Sequence, residues 1–385
     1  MPEPRSEALA RTPLSAVHES LGATMTDFAG WQMPLRYRSE TAEHNAVRTA
    51  AGLFDLSHMG ELRVTGDEAS AALDYALVSD ISAIRPGRAK YTMIVAEDGG
   101  VIDDLIVYRL EDQDFLVVAN ASNAVTVATE LAKRADGRAA QVQDRTSDYA
   151  LIAIQGPRSA AILSALTDAN LGELRYYAGY PSEVAGRPVL LARTGYTGED
   201  GFEIFTDPQH APELWSALTQ AGQADGLIPA GLAARDSLRL EAGMPLYGNE
   251  LDRQLTPYDA GLGRVVKLDK ASDFVGRAAL ADRAGQPSQR VLVGLTGLTR
   301  RVPRHGYEVL WDGAPAGTVT SGGHSPTLGK PIAMAYLRAD AAKLATDALE
   351  AGQPDGNGRL AIDIRGSAEP VALTPLPFYR RHEKG

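Results

Sequence analysis

The segment Gly99-Gly-Val-Ile-Asp103-Asp104-Leu-Ile-Val107 sets two carboxylates side by side at the start of an apolar run. A carboxylate turned inward there is costly. If partly desolvated, it has a raised pKa and can accept a proton near neutrality. Strand period two puts Asp104 on the face of Ile102, Ile106, Tyr108 and Leu110. Asp103 falls on the face of Val101, Leu105, Val107 and Arg109, with Arg109 as a possible cationic neighbour. On that count Asp104 is the buried carboxylate and the candidate base. The plainer alternative is a turn aspartate satisfied by the amides of the Gly-Gly loop. A second cluster is Arg193-Thr-Gly-Tyr196-Thr-Gly-Glu-Asp-Gly-Phe-Glu203, a tight loop with Glu203 just inside the returning strand. A buried glutamate there could accept two parallel hydrogen bonds from an amino-pyrimidinone edge. It could equally be a structural carboxylate paired with Arg235.

The elements that must hold these residues can be read around them. Arg88–Ala96 reads as a strand, Glu97–Gly100 as a turn, Val101–Leu110 as a second strand and Phe115–Ala119 as a third. A helix should start near Ser122 or Asn123, both good N-caps, and stop at Asp136-Gly137. Strand Tyr149–Gln155 precedes a short helix over Arg158–Leu166, and strands Pro188–Arg193 and Phe202–Thr206 flank the glycine-rich loop. Asp207-Pro208 caps a helix that ends before Gly226, and Gly231–Ala242 is one more helix. Beyond about Arg290 the strands are short: Val291–Leu298, Tyr307–Trp311, Gly317–Thr320, Ile332–Leu337, Leu360–Ile364 and Pro370–Leu373, with a helix over Ala341–Leu349. That pattern predicts an all-β C-terminal module, a sandwich or a small barrel, behind an α+β region.

Composition closes off other chemistries. With 38 Lys+Arg against 49 Asp+Glu the formal net charge is −11, and only short basic clusters occur, so nucleic acid is not expected as a partner. Cysteine is absent, which excludes disulfides, thiolate catalysis and cysteine metal sites. The first twelve residues hold no apolar signal core, and no apolar stretch approaches the ~20 residues of a membrane span. The expectation is a soluble, cytoplasmic protein of two or three domains. Gly261-Leu-Gly263-Arg-Val-Val266 lacks the third glycine of a dinucleotide fingerprint. Ser321-Gly-Gly-His-Ser-Pro-Thr-Leu-Gly-Lys330 has the wrong spacing for a P-loop, and Thr327 breaks a serine-hydrolase elbow at Gly323-His-Ser325. Histidines 18, 44, 58, 210, 305, 324 and 382 show no paired helical spacing for a metal. No metal, flavin or nucleotide is expected.

In order along the chain come Glu43-His-Asn-Ala-Val-Arg48, Gly52-Leu-Phe-Asp-Leu-Ser-His-Met-Gly60, Gly87-Arg-Ala-Lys-Tyr91-Thr, Gly99–Asp104 and Val118-Ala-Asn120-Ala. The Arg193–Glu203 loop, Gly231–Gly243, Thr320–Lys330 and Pro377-Phe-Tyr379 follow. Together, over essentially the whole length, these resemble the aminomethyltransferase family, the T-proteins of the glycine cleavage system. The resemblance implies an α+β fold: a multidomain cloverleaf of two interleaved folate-binding domains within 1–280, and a C-terminal barrel or jelly-roll-like domain over 288–380. It implies tetrahydrofolate as co-substrate and the lipoylated H-protein as partner. The carbon of S-aminomethyl-dihydrolipoyl H-protein would pass to tetrahydrofolate, giving 5,10-methylenetetrahydrofolate, ammonia and dihydrolipoyl H-protein.

By the same resemblance Asp104 is the catalytic aspartate beside folate N10. Tyr91 and Asn120 line the folate site near it, and Tyr196, Glu203 and Arg235 contact the pterin and the cavity wall. Met59, Tyr176 and Tyr379 are further wall residues. Two rivals stay open at this level. One is a folate-binding relative acting in tRNA modification or iron–sulfur assembly, which typically carries a Lys-Gly-Cys-Tyr motif where this chain reads Glu241–Asn249. The other is a stand-alone folate-dependent demethylase. The basic cluster Arg300-Arg301-Val-Pro-Arg304-His305 could meet an acidic carrier protein, or be a solvated loop or a handle for the folate tail.

Overall fold

The computed structural model describes residues 8–381. His382 and the first seven residues of the segment searched for a signal core lie outside the described residues. The chain divides into two compact units, each discontinuous in sequence: Met1–Leu62, Asp144–Gly195 and Glu199–Arg235 form one, and Arg63–Gln143, Tyr196–Gly198 and Asp236–Gly385 the other.

The first unit is built on a six-stranded sheet in the order Gly179–Val184, Arg187–Ala192, Gly201–Thr206, Ala150–Gln155, Ala51–Asp55 and Leu227–Pro229. Its pairings are antiparallel except the last, where Leu227–Pro229 runs parallel to Ala51–Asp55. Alternation along Gly201–Thr206 sends Phe202 and Ile204 into a core with Leu53, Ile152, Ile154, Trp215 and Leu218. Glu203, on the opposite face, sits across from Ala153 and Ala192. A small sheet of Ala10–Arg11, Trp31–Arg36 and Thr24–Phe28 precedes it in the chain. These strands are two to six residues long and largely exposed, so no apolar period announces them.

The second unit carries a five-stranded sheet in the order Arg88–Val95, Val101–Glu111, Asp114–Ala119, Gly60–Thr65 and Gln141–Asp144, with helices Ala69–Ala76 and Ala124–Ala135. The three strands that hold the acidic pair form as expected from the sequence. The turn before Val101–Glu111 needs its glycines: Gly99 adopts φ +86°, and a Cβ on Gly100 would stand 2.1 Å from the Arg253 carbonyl oxygen.

Six strands then close a barrel: Arg290–Gly297, Lys330–Arg338, Ala314–Ser325, Glu308–Trp311, Leu360–Asp363 and Ala368–Thr374. Arg290–Gly297 pairs with both Lys330–Arg338 and Ala368–Thr374, which resolves sandwich against barrel in favour of the barrel. The strand expected over Gly317–Thr320 is longer, running through Ser321-Gly-Gly with a register shift between Val319 and Ser321. Backbone pairing continues through small residues that carry no side-chain pattern. The Ser321–Lys330 stretch is thus a strand and a turn into the next strand. Its Ser325 and Thr327 side chains hold the buried Glu241 at the end of helix Leu232–Glu241, at 2.5 and 2.8 Å.

Candidate active site

Register brings three of the expected site residues together. Tyr91 pairs with Ile106 and Met93 with Asp104, so Tyr91 lies diagonally across from Asp104 on one face. Ile106 pairs with Val118, and continuing that register puts Asn120, just past the end of Asp114–Ala119, opposite Asp104. The side chains meet accordingly. Tyr91 Oη donates to Asp104 Oδ2 at 3.0 Å, and Asn120 Nδ2 donates to Asp104 Oδ1 at 2.9 Å. The same amide reaches Asp103 Oδ1 at 2.9 Å, while the Asn120 backbone N–H donates to Asp103 Oδ2 at 3.0 Å. Asn123 Nδ2 adds a third donor to Asp103 at 2.7 Å.

The burial expected from period-two counting is reversed. Asp103 is wholly removed from solvent, with Leu105 and Val107 of its face, whereas Asp104 and Ile106 keep partial exposure. Both faces of the strand are apolar in sequence, so apolar content alone cannot choose between them. A register shift between Ile94 and Val95 accompanies the change. The supposed neighbour Arg109 turns to the Ser82 and Ile84 carbonyls instead, at 3.0 and 2.6 Å. Nor do the loop amides satisfy the pair, since the Gly100 N–H donates to Asp98.

Burial and the adjacent Asp104 carboxylate push Asp103 up to about 7, against the pull of Asn123 and Asn120. Burial also raises Asp104, opposed by its bonds from Tyr91 and Asn120. A value of about 7 keeps Asp103 protonated through the mildly acidic range, beside the more accessible Asp104. Asn123 is the residue the sequence reading misplaced. It precedes helix Ala124–Ala135 as a cap should, yet its side chain makes no cap bond and goes to Asp103.

In the first unit the loop after Arg187–Ala192 is tied down by Arg193, which donates to both oxygens of Asp200 at 2.9 and 2.7 Å. Gln155 fills the loop: its Nε2 donates to the Thr194 carbonyl at 3.0 Å. A Cβ on Gly195 would fall 2.0 Å from its side chain, and one on Gly201 at 2.4 Å, which is why the loop needs glycines there. Glu203 is buried and accepts from Thr194 Oγ1 at 2.5 Å. Met59, Tyr176 and Arg235 belong to the same unit. Tyr176 is 45% exposed and meets Tyr177 edge-on. Arg235, in helix Leu232–Glu241, bears on His58, which burial and that cation push down to about 4. In the second unit the Tyr196 hydroxyl donates to the Pro245 carbonyl, and the Tyr379 amide to the Glu241 carbonyl at 2.8 Å.

Among the described residues no group of three or more His, Asp or Glu side chains could hold a metal ion, and no helix is long and apolar enough to cross a membrane. In the first unit Glu203 offers buried acceptor oxygens, and in the second Asp104 is a partly exposed acceptor beside a hydroxyl and an amide.

Residues 14–270 match the family described as the GCVT N-terminal domain, and residues 290–380 the glycine cleavage T-protein C-terminal barrel domain. An aminomethyltransferase of Streptomyces coelicolor is 61% identical over 381 residues, 98% of this chain and 100% of the relative. One of Bacillus subtilis is 41% identical, covering 97% of this chain and 100% of the relative. The crystal structure of glycine cleavage system aminomethyltransferase T from Bartonella henselae superposes with a TM-score of 0.86 at 37% identity, over 96% of this chain and 98% of that one. Sequence, barrel and fold agree: this chain belongs to the aminomethyltransferases, the T-protein family of the glycine cleavage system.

Proposed function

We propose that this aminomethyltransferase takes the methylene carbon from S-aminomethyl-dihydrolipoyl H-protein and delivers it to tetrahydrofolate in the cytoplasm, releasing ammonia and dihydrolipoyl H-protein. The observation that carries the reading is the shared amide of Asn120, which holds Asp104 and Asp103 as one hydrogen-bonded acid pair. The bound folate supplies the nitrogens that receive the carbon. Asp104 orients N10 and accepts or relays the proton it loses, with Tyr91 fixing one carboxylate oxygen and Asn120 the other. Asp103 keeps Asn120 and Asn123 in place. Glu203 accepts from the pterin edge, and Tyr196, Arg235, Met59, Tyr176 and Tyr379 are assigned to the folate cavity wall. The folate-binding region is read as 1–280 and the barrel as 288–380.

For the carrier, the barrel offers a groove of about 500 Å³ lined by Arg301, Val302, Arg304, Tyr307, Ile364 and Arg365. Three guanidinium groups on an otherwise acidic chain suit an acidic carrier protein. Asp104→Asn keeps the shape but removes charge and basicity. It is expected to bind tetrahydrofolate within about threefold of wild type while turnover falls roughly 10²–10⁴-fold, the range for losing a general base. Asp103→Asn should lower the thermal midpoint and leave most turnover intact. Affinity, midpoint and methylene transfer measured for both variants decide the roles. Near-normal transfer by Asp104→Asn, or a larger catalytic loss in Asp103→Asn, would overturn them.

A further inference from the structure

Glu61 is the second residue of strand Gly60–Thr65 and only 1% exposed. Its backbone is fixed: the amide donates to Thr146 Oγ1 at 3.1 Å and the carbonyl accepts from the Arg145 amide at 2.8 Å. Its side chain is not satisfied in the same way. Among the described residues neither carboxylate oxygen has a hydrogen-bond partner. An ionised carboxylate in that setting would lose its hydration without replacement. The charges that bear on it are both negative, Asp144 and Glu203. The arginines nearest to it in sequence are paired: Arg145 with Asp148 at 2.8 Å, and Arg63 with Asp114. Glu203, by contrast, has a hydroxyl donor in Thr194.

Two neighbouring buried carboxylates cannot both ionise readily, and the charge settles on the one with a donor. We propose that Glu61 is a positioning residue that keeps its proton, so that Glu203 is the single anion of the pair and meets its ligand with a full negative charge. Burial, then Asp144 and Glu203, all act to hold the Glu61 proton, well above the usual carboxylate range. The part of this inference that concerns the ligand rests on the folate reading above. The part that concerns the proton does not.

The test uses the full chain as wild type, Glu61→Gln and Glu203→Gln. Infrared difference spectra against wild type at neutral pH, in which the contribution of Asp103 cancels, should show a neutral carboxylic acid band lost in Glu61→Gln and none lost in Glu203→Gln. A band lost in Glu203→Gln and kept in Glu61→Gln would put the proton on the wrong residue and overturn the proposal. Thermal midpoints give a second, independent arm. A folded-state proton that the unfolded chain releases above about pH 4 makes wild type lose stability as pH rises, so the advantage of Glu61→Gln should widen from about pH 5 upward. A gap that narrows or stays flat would contradict it, because an ionised, paired Glu61 gives the opposite slope. Tetrahydrofolate binding then separates the two readings. Glu203→Gln should lose affinity by roughly tenfold or more, as for losing a charge-assisted bond. If it binds normally, the folate role of Glu203 falls while the first two arms still decide where the proton sits.

Discussion

Asp103 and Asp104 share one amide donor and lie next to each other along the chain, so ionising either makes ionising the other harder. The cost falls on Asp103, raised to about 7 by burial and by Asp104, against ~3.9 in an unfolded chain. Between those values the folded protein holds a proton that the unfolded chain has released. Stability contributed by this group therefore falls as pH rises from about 4 to about 7 and levels off above. Asp103→Asn should lack that slope. Thermal midpoints of wild type and variant across this window check it, and parallel curves would count against a protonated Asp103. At this scale the sequence was half legible. The resemblance grouped Asp104, Tyr91 and Asn120, which the strand register brings together, but the face count chose the wrong buried member of the pair, because Ile106 and Val107 are equally apolar and only packing separates their faces. Asn123 went unread as an acid partner because an asparagine before a helix has a ready explanation as a cap.

Strand Val101–Glu111 must leave its turn in register for Tyr91 and Asn120 to meet Asp104. Gly100 sets that departure by passing close to the Arg253 carbonyl. Gly100→Ala forces backbone apart there. It should cost roughly 1–3 kcal/mol of stability, the usual price of overpacking, and lower turnover along with it. Chemical unfolding and a turnover assay on the same preparation test both, and a variant with unchanged stability would show that the approach is not tight. The element pattern was readable wherever period and turn residues agreed, as in the three strands of this sheet and the barrel strands. It was unreadable where strands are short, exposed or glycine-rich, as in Ala10–Arg11 and the second half of Ala314–Ser325.

At the level of the whole molecule, a transferase that draws its carbon from a carrier protein needs a surface for that carrier as well as an acid pair. Arg301 is partly committed to Glu369 and the Ile364 carbonyl, each at 3.3 Å, while Arg304 and Arg365 are exposed in the same groove. Reversing Arg304 to Glu should raise KM for loaded H-protein by about tenfold at low salt, with the difference shrinking as salt rises. A KM unchanged across salt would remove this groove from docking. Interleaving of the two units along the chain was not derivable from composition or period, since both are assembled from separated segments. The most direct test of the account is a turnover assay with purified chain, aminomethylated H-protein and tetrahydrofolate, omitting each in turn and following methylenetetrahydrofolate and ammonia together. Both products should form in equal amounts when all components are present, with at most slow ammonia release without tetrahydrofolate. Methylene transfer that proceeds at full rate from a small aminomethyl thioether donor, with no dependence on H-protein, would contradict it.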